Sequence, residues 1–450
     1  MQDLTKGNPT KLILLFTIPL ILGYLMQQLY NFIDTLIVGQ TLGVDALAAV
    51  GSTGAIMFLS LGFVTGFTSG MGIITATRFG AKDYAGVRKS FGQSIIAASI
   101  VTVFLTIIGV VGIRALLIIM QTPAEIIDQA YAFIVVILAG MVTQVGYNVV
   151  ANAMRAVGNS NAPLYHLIFG MILNIILEFV FILVFHWGVA GAAFATVIAY
   201  GASTLTSIWH INRYIPGLHL SREDLKIDRF EIRTHMMAGL PMGFQSSIIA
   251  IGSVTLQAAL NTLGTDAVAG NAAAGKVDQL VVMVLMSFGV TMATYVAQNY
   301  GAGEYKRILD GMRQALTMSI VVAIVMGLLM IFEGHWLVRL FVNQSDKAAP
   351  MVMKLAQIFF YANGPLYAIL AILFVLRYAI QGMGDYRTPT LAGIGEMVAR
   401  SVAAFTLVIA FGFWGASYAN PLAWTASVAF LIPAWIKISR KLKQKIAAAG

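Results

Sequence analysis

TLGVDALA at residues 41–48 recurs as TLGTDAVA at residues 262–269, with six of the eight letters identical. A second pair follows at the same offset, because FGAKDY at 79–84 corresponds to YGAGEY at 300–305. Chance is a poor explanation for two matches that share one offset. The chain therefore consists of two homologous halves, and in a hydrophobic protein this pattern is typical of transporters built from internal repeats.

The composition is that of a membrane protein. Of the 450 residues, 59% are hydrophobic and 10% are charged, whereas charged residues make up about 25% of soluble proteins. The apolar runs lack two-residue alternation and are long enough for helical spans, which need about 20 residues. We predict twelve spans, near residues 12–38, 50–77, 90–112, 130–150, 163–185, 190–211, 236–262, 267–298, 314–338, 350–376, 388–411 and 415–437. The predicted fold is an all-α integral membrane protein with two six-helix lobes, related by a pseudo-two-fold axis along the membrane normal.

The positive charge follows the expected membrane topology. The formal net charge is +9, and most of the 28 Lys and Arg residues, Arg377 among them, are expected in loops that are inside if the N-terminus is cytoplasmic. This pattern predicts a multi-pass cell-membrane protein with both termini in the cytoplasm and no nucleic-acid partner. The longest polar stretch, 212–233, is expected to join an N-lobe of residues 1–222 to a C-lobe of residues 223–450. The C-lobe ends in a basic cytoplasmic tail, expected to lie against anionic lipid headgroups.

Several motifs resemble those of the multidrug and toxic compound extrusion (MATE) family. They are QLYNFID at 28–34, the Gly80-Ala81 turn, QNYGA at 298–302, and RAVG at 155–158 followed by Pro163. The resemblance covers essentially the whole chain and is closer to the subfamily named for a DNA-damage-inducible protein. It implies a twelve-helix, two-lobe antiporter that expels organic cations and other amphipathic compounds in exchange for protons or sodium ions.

The first span carries a polar face. Gln27, Asn31 and Asp34 recur at spacings of four and three, so they lie on one side of a helix that is otherwise apolar. An ionisable group inside a span costs about 2.5–3.5 kcal/mol on insertion scales, so Asp34 is a candidate for function rather than packing. Pro19, earlier in the same span, has a counterpart in Pro241 and is a candidate hinge.

A second acid lies in the fifth span. Asn174 and Glu178 are four residues apart on one face, and Thr196 follows in the sixth span. With Asp34 they form an oxygen-rich set suited to a proton or a hard cation such as Na⁺. Neither acid recurs in the second half, which argues against a purely structural role. The resemblance assigns these four positions to the family's N-lobe cation site. The family usually has aspartate where this chain has Glu178, so we expect proton coupling rather than sodium coupling, with no cofactor and no firm metal site.

Other polar residues within spans are candidates for contacts with the transported substrate. They are Gln27, Asn31, Asn148, Asn152, Lys276, Asp278 and Arg400. The stripe of Gln144, Asn148 and Asn152 is equally compatible with a pocket lining and with helix–helix contact. Arg400 lies four residues after Glu396, so a structural pair is expected there.

Together these features predict a secondary active multidrug efflux transporter that works by alternating access, as a monomer in the lipid bilayer. The alternative within the same superfamily is a flippase for lipid-linked or other amphipathic substrates. A channel and a membrane enzyme are further alternatives, but neither a Gly-x-Ser-x-Gly nor a His-Glu-x-x-His motif occurs. Residues 270–276 resemble a phosphate-binding loop, yet Val277 replaces the required Ser or Thr. The prediction is therefore a transporter driven by an ion gradient, and not an enzyme.

Overall fold

The computed structural model describes residues 3–342 and 348–449, and within these ranges helices are the only regular secondary structure. Helices satisfy their own backbone polar groups, as a lipid environment requires. The first half contains α1 (Pro9–Leu42), α2 (Val44–Ser52), α3 (Gly54–Gly80), α4 (Tyr84–Ile119), α5 (Ile127–Ala139), α6 (Met141–Ala156), α7 (Asn161–Phe179) and α8 (Gly188–Tyr214). The second half contains α9 (Arg229–Asn261), α10 (Thr265–Gly301), α11 (Tyr305–Arg339), α12 (Ala349–Asn363), α13 (Tyr367–Gly382), α14 (Arg387–Phe411) and α15 (Phe413–Ala449).

The helices match the predicted spans. In the described part of the chain, eleven helical segments are long and apolar enough to cross a membrane. The pair α5 and α6, bent by 44° at their junction, makes a twelfth when counted as one span. The predicted all-α, multi-span membrane fold is therefore confirmed. One helix is longer than predicted, because α15 continues through the basic tail.

The repeated sequence motifs mark repeated turns. Gly43 and Gly264, at equivalent positions of the two halves, have φ values of 88° and 93°. Only glycine adopts this backbone region without steric cost, so the repeated glycine explains the end of α1 and of α9. The next turn is also shared, since Lys82 has φ 60° and its counterpart Gly303 has φ 75°.

The chain forms two compact units whose boundaries lie inside helices. The first unit consists mainly of Leu22–Gly243, and the second of Leu4–Ile21 and Phe244–Gly450. Both boundaries fall within three residues after a proline, Pro19 in α1 and Pro241 in α9. Each unit thus contains the opening segment of the other half. The use of residues 1–222 and 223–450 as separate moving lobes stays a prediction.

The opening segment of α9, residues 229–243, packs closely within the first unit and is called the α9 arm below. A Cβ atom at Gly66 of α3 would lie 2.4 Å from the Met242 carbonyl oxygen, and one at Gly70 would lie 2.5 Å from that of Ala238. Small residues spaced by four allow helix backbones to approach this closely in membranes. The two glycines of α3 therefore fix the position of the α9 arm.

The opening segment of α1, residues 4–21, is held in the second unit by polar contacts. The Thr17 and Thr291 hydroxyl oxygens lie 2.8 Å apart. The Leu4 amide donates to Gln298 Oε1 at 3.0 Å, and Asn299 Nδ2 donates to the Leu4 carbonyl at 3.2 Å. These bonds bind the segment to α10 along much of its length.

Candidate ion-coupling site

Three helices of the first unit bring the four predicted cation-site residues together. Asp34 lies on α1, Asn174 and Glu178 on α7, and Thr196 on α8. Asn174 Nδ2 donates to Thr196 Oγ1 at 3.3 Å. Thr196 Oγ1 also lies 3.2 Å from the carbonyl oxygen of Ala192, one turn earlier on its own helix. The grouping that helical spacing suggested is therefore present in space.

The carboxyl groups of this site are buried without a balancing positive charge. Asn174 and Glu178 are 0% exposed, and the carboxyl groups of Asp34 and Glu178 are in electrostatic contact with each other. Asp34 Oδ1, Asn174 Oδ1 and both Glu178 oxygens are buried, and apart from the contact between the two carboxyl groups no described residue provides them with a hydrogen-bond partner. No ion pair to either acid occurs within the described ranges. Because buried charges are costly unless compensated, this pair is suited to hold a proton or a small cation.

Two tyrosines complete the site, and the sequence analysis did not find them. The Tyr30 and Thr196 hydroxyl oxygens lie 2.8 Å apart. The Tyr200 hydroxyl contacts the side chains of Gln27 and Gln144. Tyr30 precedes Asp34 by four residues and Tyr200 follows Thr196 by four, so helical spacing from the predicted residues was the available signal.

A narrow cavity of about 330 Å³ adjoins the site within the first unit. Its lining consists of Met26, Gln27, Tyr30, Leu167, Gly170, Met171, Ala199, Tyr200 and Ser203. The lining is mainly apolar with a few polar groups, the usual character of a pocket for small organic molecules. Tyr30 belongs both to this lining and to the hydrogen-bonded site.

The remaining candidates of the first unit lie in different surroundings. Asn31 is exposed and donates to Gln28 Oε1 at 3.4 Å, and it is not among the residues that line the cavity. Asn148 donates to the carbonyl of Gln144 at 2.9 Å within α6. Asn152 donates to Thr68 Oγ1 at 3.2 Å, so it contacts a neighbouring helix. A substrate contact at Asn31, Asn148 or Asn152 stays a prediction.

The second-unit candidates divide between surface and interior. Lys276 is exposed, with its Nζ 5.7 Å from the centre of the Phe341 ring. Asp278 is buried and accepts a hydrogen bond from the Tyr367 hydroxyl. The two side chains therefore point in different directions, and their contact with substrate stays a prediction.

Arg400 belongs to a buried ionic triad. Its Nη2 donates to Glu396 Oε1 at 3.1 Å, which confirms the predicted pair, and its Nη1 donates to the carbonyl of Ile249. Arg377 Nη2 binds the other Glu396 oxygen at 2.6 Å. Placing Arg377 in a cytoplasmic loop was wrong, because α13 extends to Gly382 and buries this side chain. The triad explains how two cationic groups are accommodated inside the second unit, and a substrate role for Arg400 stays a prediction.

Comparison with known proteins agrees with this architecture. The MatE family pattern matches residues 19–180 and 241–413. The probable multidrug resistance protein YpnP of Bacillus subtilis is 27% identical over 388 residues, covering 85% of this chain and 84% of that protein. DNA damage-inducible protein F of Escherichia coli is 25% identical over 329 residues, covering 72% and 71%.

Solved structures share the fold. A multidrug resistance MATE family transporter of the MOP superfamily, in an outward-facing conformation, superposes with a TM-score of 0.90 at 21% identity and 98% coverage of both chains. The match includes nearly every helix described above, so the two-lobe transporter fold applies to this chain. With the family pattern covering most of both halves, the chain belongs to the MATE family of multidrug efflux transporters, as its motifs suggested.

Proposed function

We propose that this protein is a secondary active transporter that exports amphipathic organic compounds, particularly cations, in exchange for protons. One observation carries the proposal: Asp34 and Glu178 form a carboxyl pair whose buried oxygens have neither a hydrogen-bond partner outside the pair nor an ion-pair partner among the described residues. A bound proton or cation neutralises the negative charge of the pair, and release of the ion restores that charge. Binding and release of the ion therefore provide a two-state switch.

The donor set favours a proton over sodium. Two interacting carboxyl groups hold and release protons as a coupled pair. A proton needs only one oxygen, or two that share it, whereas Na⁺ needs a shell of several oxygens at matched distances. Glu178 is one methylene longer than aspartate, which alters the spacing of such a shell. We therefore assign the proton as the coupling ion, with Na⁺ at Asp34, Asn174, Glu178 and Thr196 as the alternative.

The cavity beside the pair accounts for the proposed substrate class. Met26 and Met171 supply flexible, polarisable surface that adapts to different apolar shapes. The nearby carboxyl pair attracts a positively charged group. The Tyr30 hydroxyl, in contact with both the cavity and the pair, links the presence of cargo to the state of the ion site.

Alternating access then follows from a hinge in α1. An external proton binds the carboxyl pair, α1 changes its bend near Pro19, and the cargo leaves to the outside. Pro19 removes a helical hydrogen bond, and the unit boundary at residues 21 and 22 lies close to it. When the exchange moves one net positive charge inward, a potential of about 100 mV supplies about 2.3 kcal/mol, enough for roughly fifty-fold accumulation. We place the protein in the cell membrane with both termini in the cytoplasm, since most of its basic loops then lie inside.

Transport in proteoliposomes tests the proposal. Purified protein should accumulate a fluorescent organic cation when a pH gradient is imposed, and a sodium gradient at equal pH should have little effect. Asp34→Asn should abolish the pH-driven accumulation. Asp128→Asn is the matched control, because Asp128 is an exposed carboxylate of the same unit that pairs with Arg114 at the surface. Normal pH-driven accumulation by Asp34→Asn would overturn the assignment, and accumulation driven by sodium alone would replace the ion.

A further inference from the structure

A second set of buried polar groups lies between the coupling site and the linker at residues 212–233. It starts at Gln144, which contacts the Tyr200 hydroxyl at the coupling site. Asn148 and Asn152 follow at successive turns of α6, and Asn148 donates to the carbonyl of Gln144. Polar side chains at every fourth position thus run along one face of α6, away from the carboxyl pair.

The stripe on α6 leads to a small cavity of mixed lining. This cavity contains about 200 Å³ of space and is lined by polar and apolar residues, namely Asn152, Thr68, Thr75 and Ser94 together with Met71, Gly72, Phe91, Val149 and Ala153. Hydroxyl and amide groups in this number are the surroundings in which proteins hold ordered water. The cavity therefore offers a polar connection from α6 to the cytoplasmic ends of α3 and α4.

Beyond the cavity, a chain of hydrogen bonds reaches the α9 arm. The hydroxyl oxygens of Thr75 and Ser90 lie 2.9 Å apart, and Ser90 Oγ lies 2.9 Å from His235 Nε2. His235 Nδ1 lies 2.7 Å from the backbone carbonyl oxygen of Glu231. A carbonyl only accepts, so Nδ1 carries the hydrogen, and Nε2 of the neutral ring is left to accept from Ser90.

The chain of hydrogen bonds ends near the protein surface. The ring of His235 is 0% exposed, and its Nδ1 lies 3.9 Å from Glu231 Oε2. Glu231 is 9% exposed and accepts from Arg78 Nη2 at 2.7 Å, while Arg78 is 22% exposed. Glu231 and Arg78 are the charged groups that face the ring, one attracting and one opposing a positive charge on it.

We propose that Thr75, Ser90 and His235 form a proton relay from the cavity beside Asn152 to the linker end of the first unit, with His235 as its last member. The proposal rests on the proposed function, because it needs a proton to carry. The Ser90 hydroxyl gives its proton to His235 Nε2 and regains one from Thr75, which in turn takes one from water in the cavity. The protonated ring then releases its Nδ1 proton toward the Glu231 carboxylate, whose Oε2 lies 3.9 Å from Nδ1, and from there to water. Only O–H and N–H bonds form and break, and no other reactant is needed.

Two transport modes separate a relay from a structural role. The first is accumulation of a fluorescent organic cation driven by a pH gradient, which requires net proton movement. The second is exchange of labelled for unlabelled cation at equal pH, which requires the same conformational changes without net proton movement. His235→Gln keeps a polar side chain but removes the titratable ring. It should slow the first mode by about fivefold or more, as expected when a proton-transfer group is lost, and leave the second unchanged.

Further variants keep the test decisive. Ser90→Ala should reproduce the effect of His235→Gln, and the double variant should be no slower than either, because both changes break one path. His335→Gln, on α11 of the second unit, is the matched control and should behave as the unchanged protein. Equal loss of both modes in His235→Gln and Ser90→Ala, or no loss in either mode, would overturn the relay. If the unchanged protein itself showed no pH-driven accumulation, the proposed function would fail instead.

Discussion

Tyr30 and Thr196 are joined through their hydroxyl oxygens, 2.8 Å apart, so α1 is bound to α8 at the edge of the carboxyl pair. Tyr30 also lines the apolar cavity, and Thr196 accepts a hydrogen bond from Asn174. A single contact between hydroxyl groups thus separates the space proposed for cargo from the oxygens proposed for the ion. Competition between cargo and proton would pass through this contact.

Tyr30→Phe tests that link, since it retains the ring and removes the hydroxyl. We expect cargo affinity close to that of the unchanged protein and pH-driven accumulation reduced by up to about tenfold, because a hydrogen bond of this kind contributes about 0.5–1.5 kcal/mol. Accumulation in proteoliposomes and equilibrium binding of the same dye measure the two effects. Tyr165→Phe, at an exposed tyrosine of α7, is the control and should change neither. Equal behaviour of the two variants would contradict the link.

Two substitutions of Glu178 separate the effect of its titratable charge from the effect of its side-chain length. Glu178→Gln preserves the shape of the side chain but removes its titration, and we expect pH-driven transport to be lost. Glu178→Asp moves the carboxyl group by about 1.5 Å, one C–C bond, and should retain proton coupling at a reduced rate. Dye accumulation under a pH gradient measures both. Full activity of the Gln variant would show that this carboxyl group is not needed for coupling.

Pro19→Ala tests the hinge in α1. Alanine restores a backbone donor and removes a helix-breaking ring, whose presence in a helix interior costs about 3 kcal/mol or more. The substituted helix is therefore harder to bend. We expect normal folding with slower transport in both the pH-driven and the exchange mode, because both need the helix to bend. Pro421→Ala is a suitable control, since Pro421 lies inside α15 and far in sequence from either unit boundary. Transport that is unaffected by Pro19→Ala would exclude bending at this position.

The ionic triad predicts a large effect on stability. Glu396→Gln leaves Arg377 and Arg400 buried without their shared carboxylate, and removal of one partner from a buried ion pair costs about 3–5 kcal/mol. Thermal unfolding of the purified protein in detergent should show a clear decrease in midpoint. Glu333→Gln, at an exposed glutamate of α11, should leave the midpoint unchanged. Similar midpoints for both variants would mean that the triad contributes little to stability.

The linker contributes a pH-dependent contact outside the spans. Lys89 Nζ donates to Asp228 Oδ2 at 2.7 Å, and this hydrogen bond holds the pKa of Asp228 below its ordinary value of 3.8. The folded state therefore favours the ionised carboxylate. The stabilisation is full above the unfolded pKa and is lost as the pH falls through the lower folded pKa. Asp228→Asn should remove this part of the acid dependence. The free energy of unfolding, measured between pH 2 and 5, should then change less across that range than it does in the unchanged protein.

Much of this architecture was predictable because the bilayer restricts the choices. Long apolar runs predicted the spans, and the polar residues that interrupt them, Asp34, Asn174 and Glu178, predicted the centre of the site. Tyr30 and Tyr200 were not predicted as site residues, because an uncharged tyrosine in an apolar span does not stand out from its neighbours. Arg377 was misplaced because it lies near a basic loop, and only the length of α13 shows that it is buried.

The exchange of opening segments was beyond sequence reasoning for a different reason. Which helix a segment packs against depends on contacts between distant residues, such as Gly66 with Met242 and Thr17 with Thr291. Apolar periodicity shows that a segment is buried in a bundle, but not which neighbours bury it. The glycines of α3 were visible in the sequence, yet nothing there identified the α9 arm as their partner.

This exchange bears on how such a chain arose. If the protein descends from the duplication of a gene for one half, the same packing in a single-half ancestor would require a second copy to supply the opening segment. Such an ancestor would have worked as an obligate homodimer in which two copies traded their first helices. Fusion would then have made an existing partnership permanent, leaving one copy free to acquire the acids and the other to lose them.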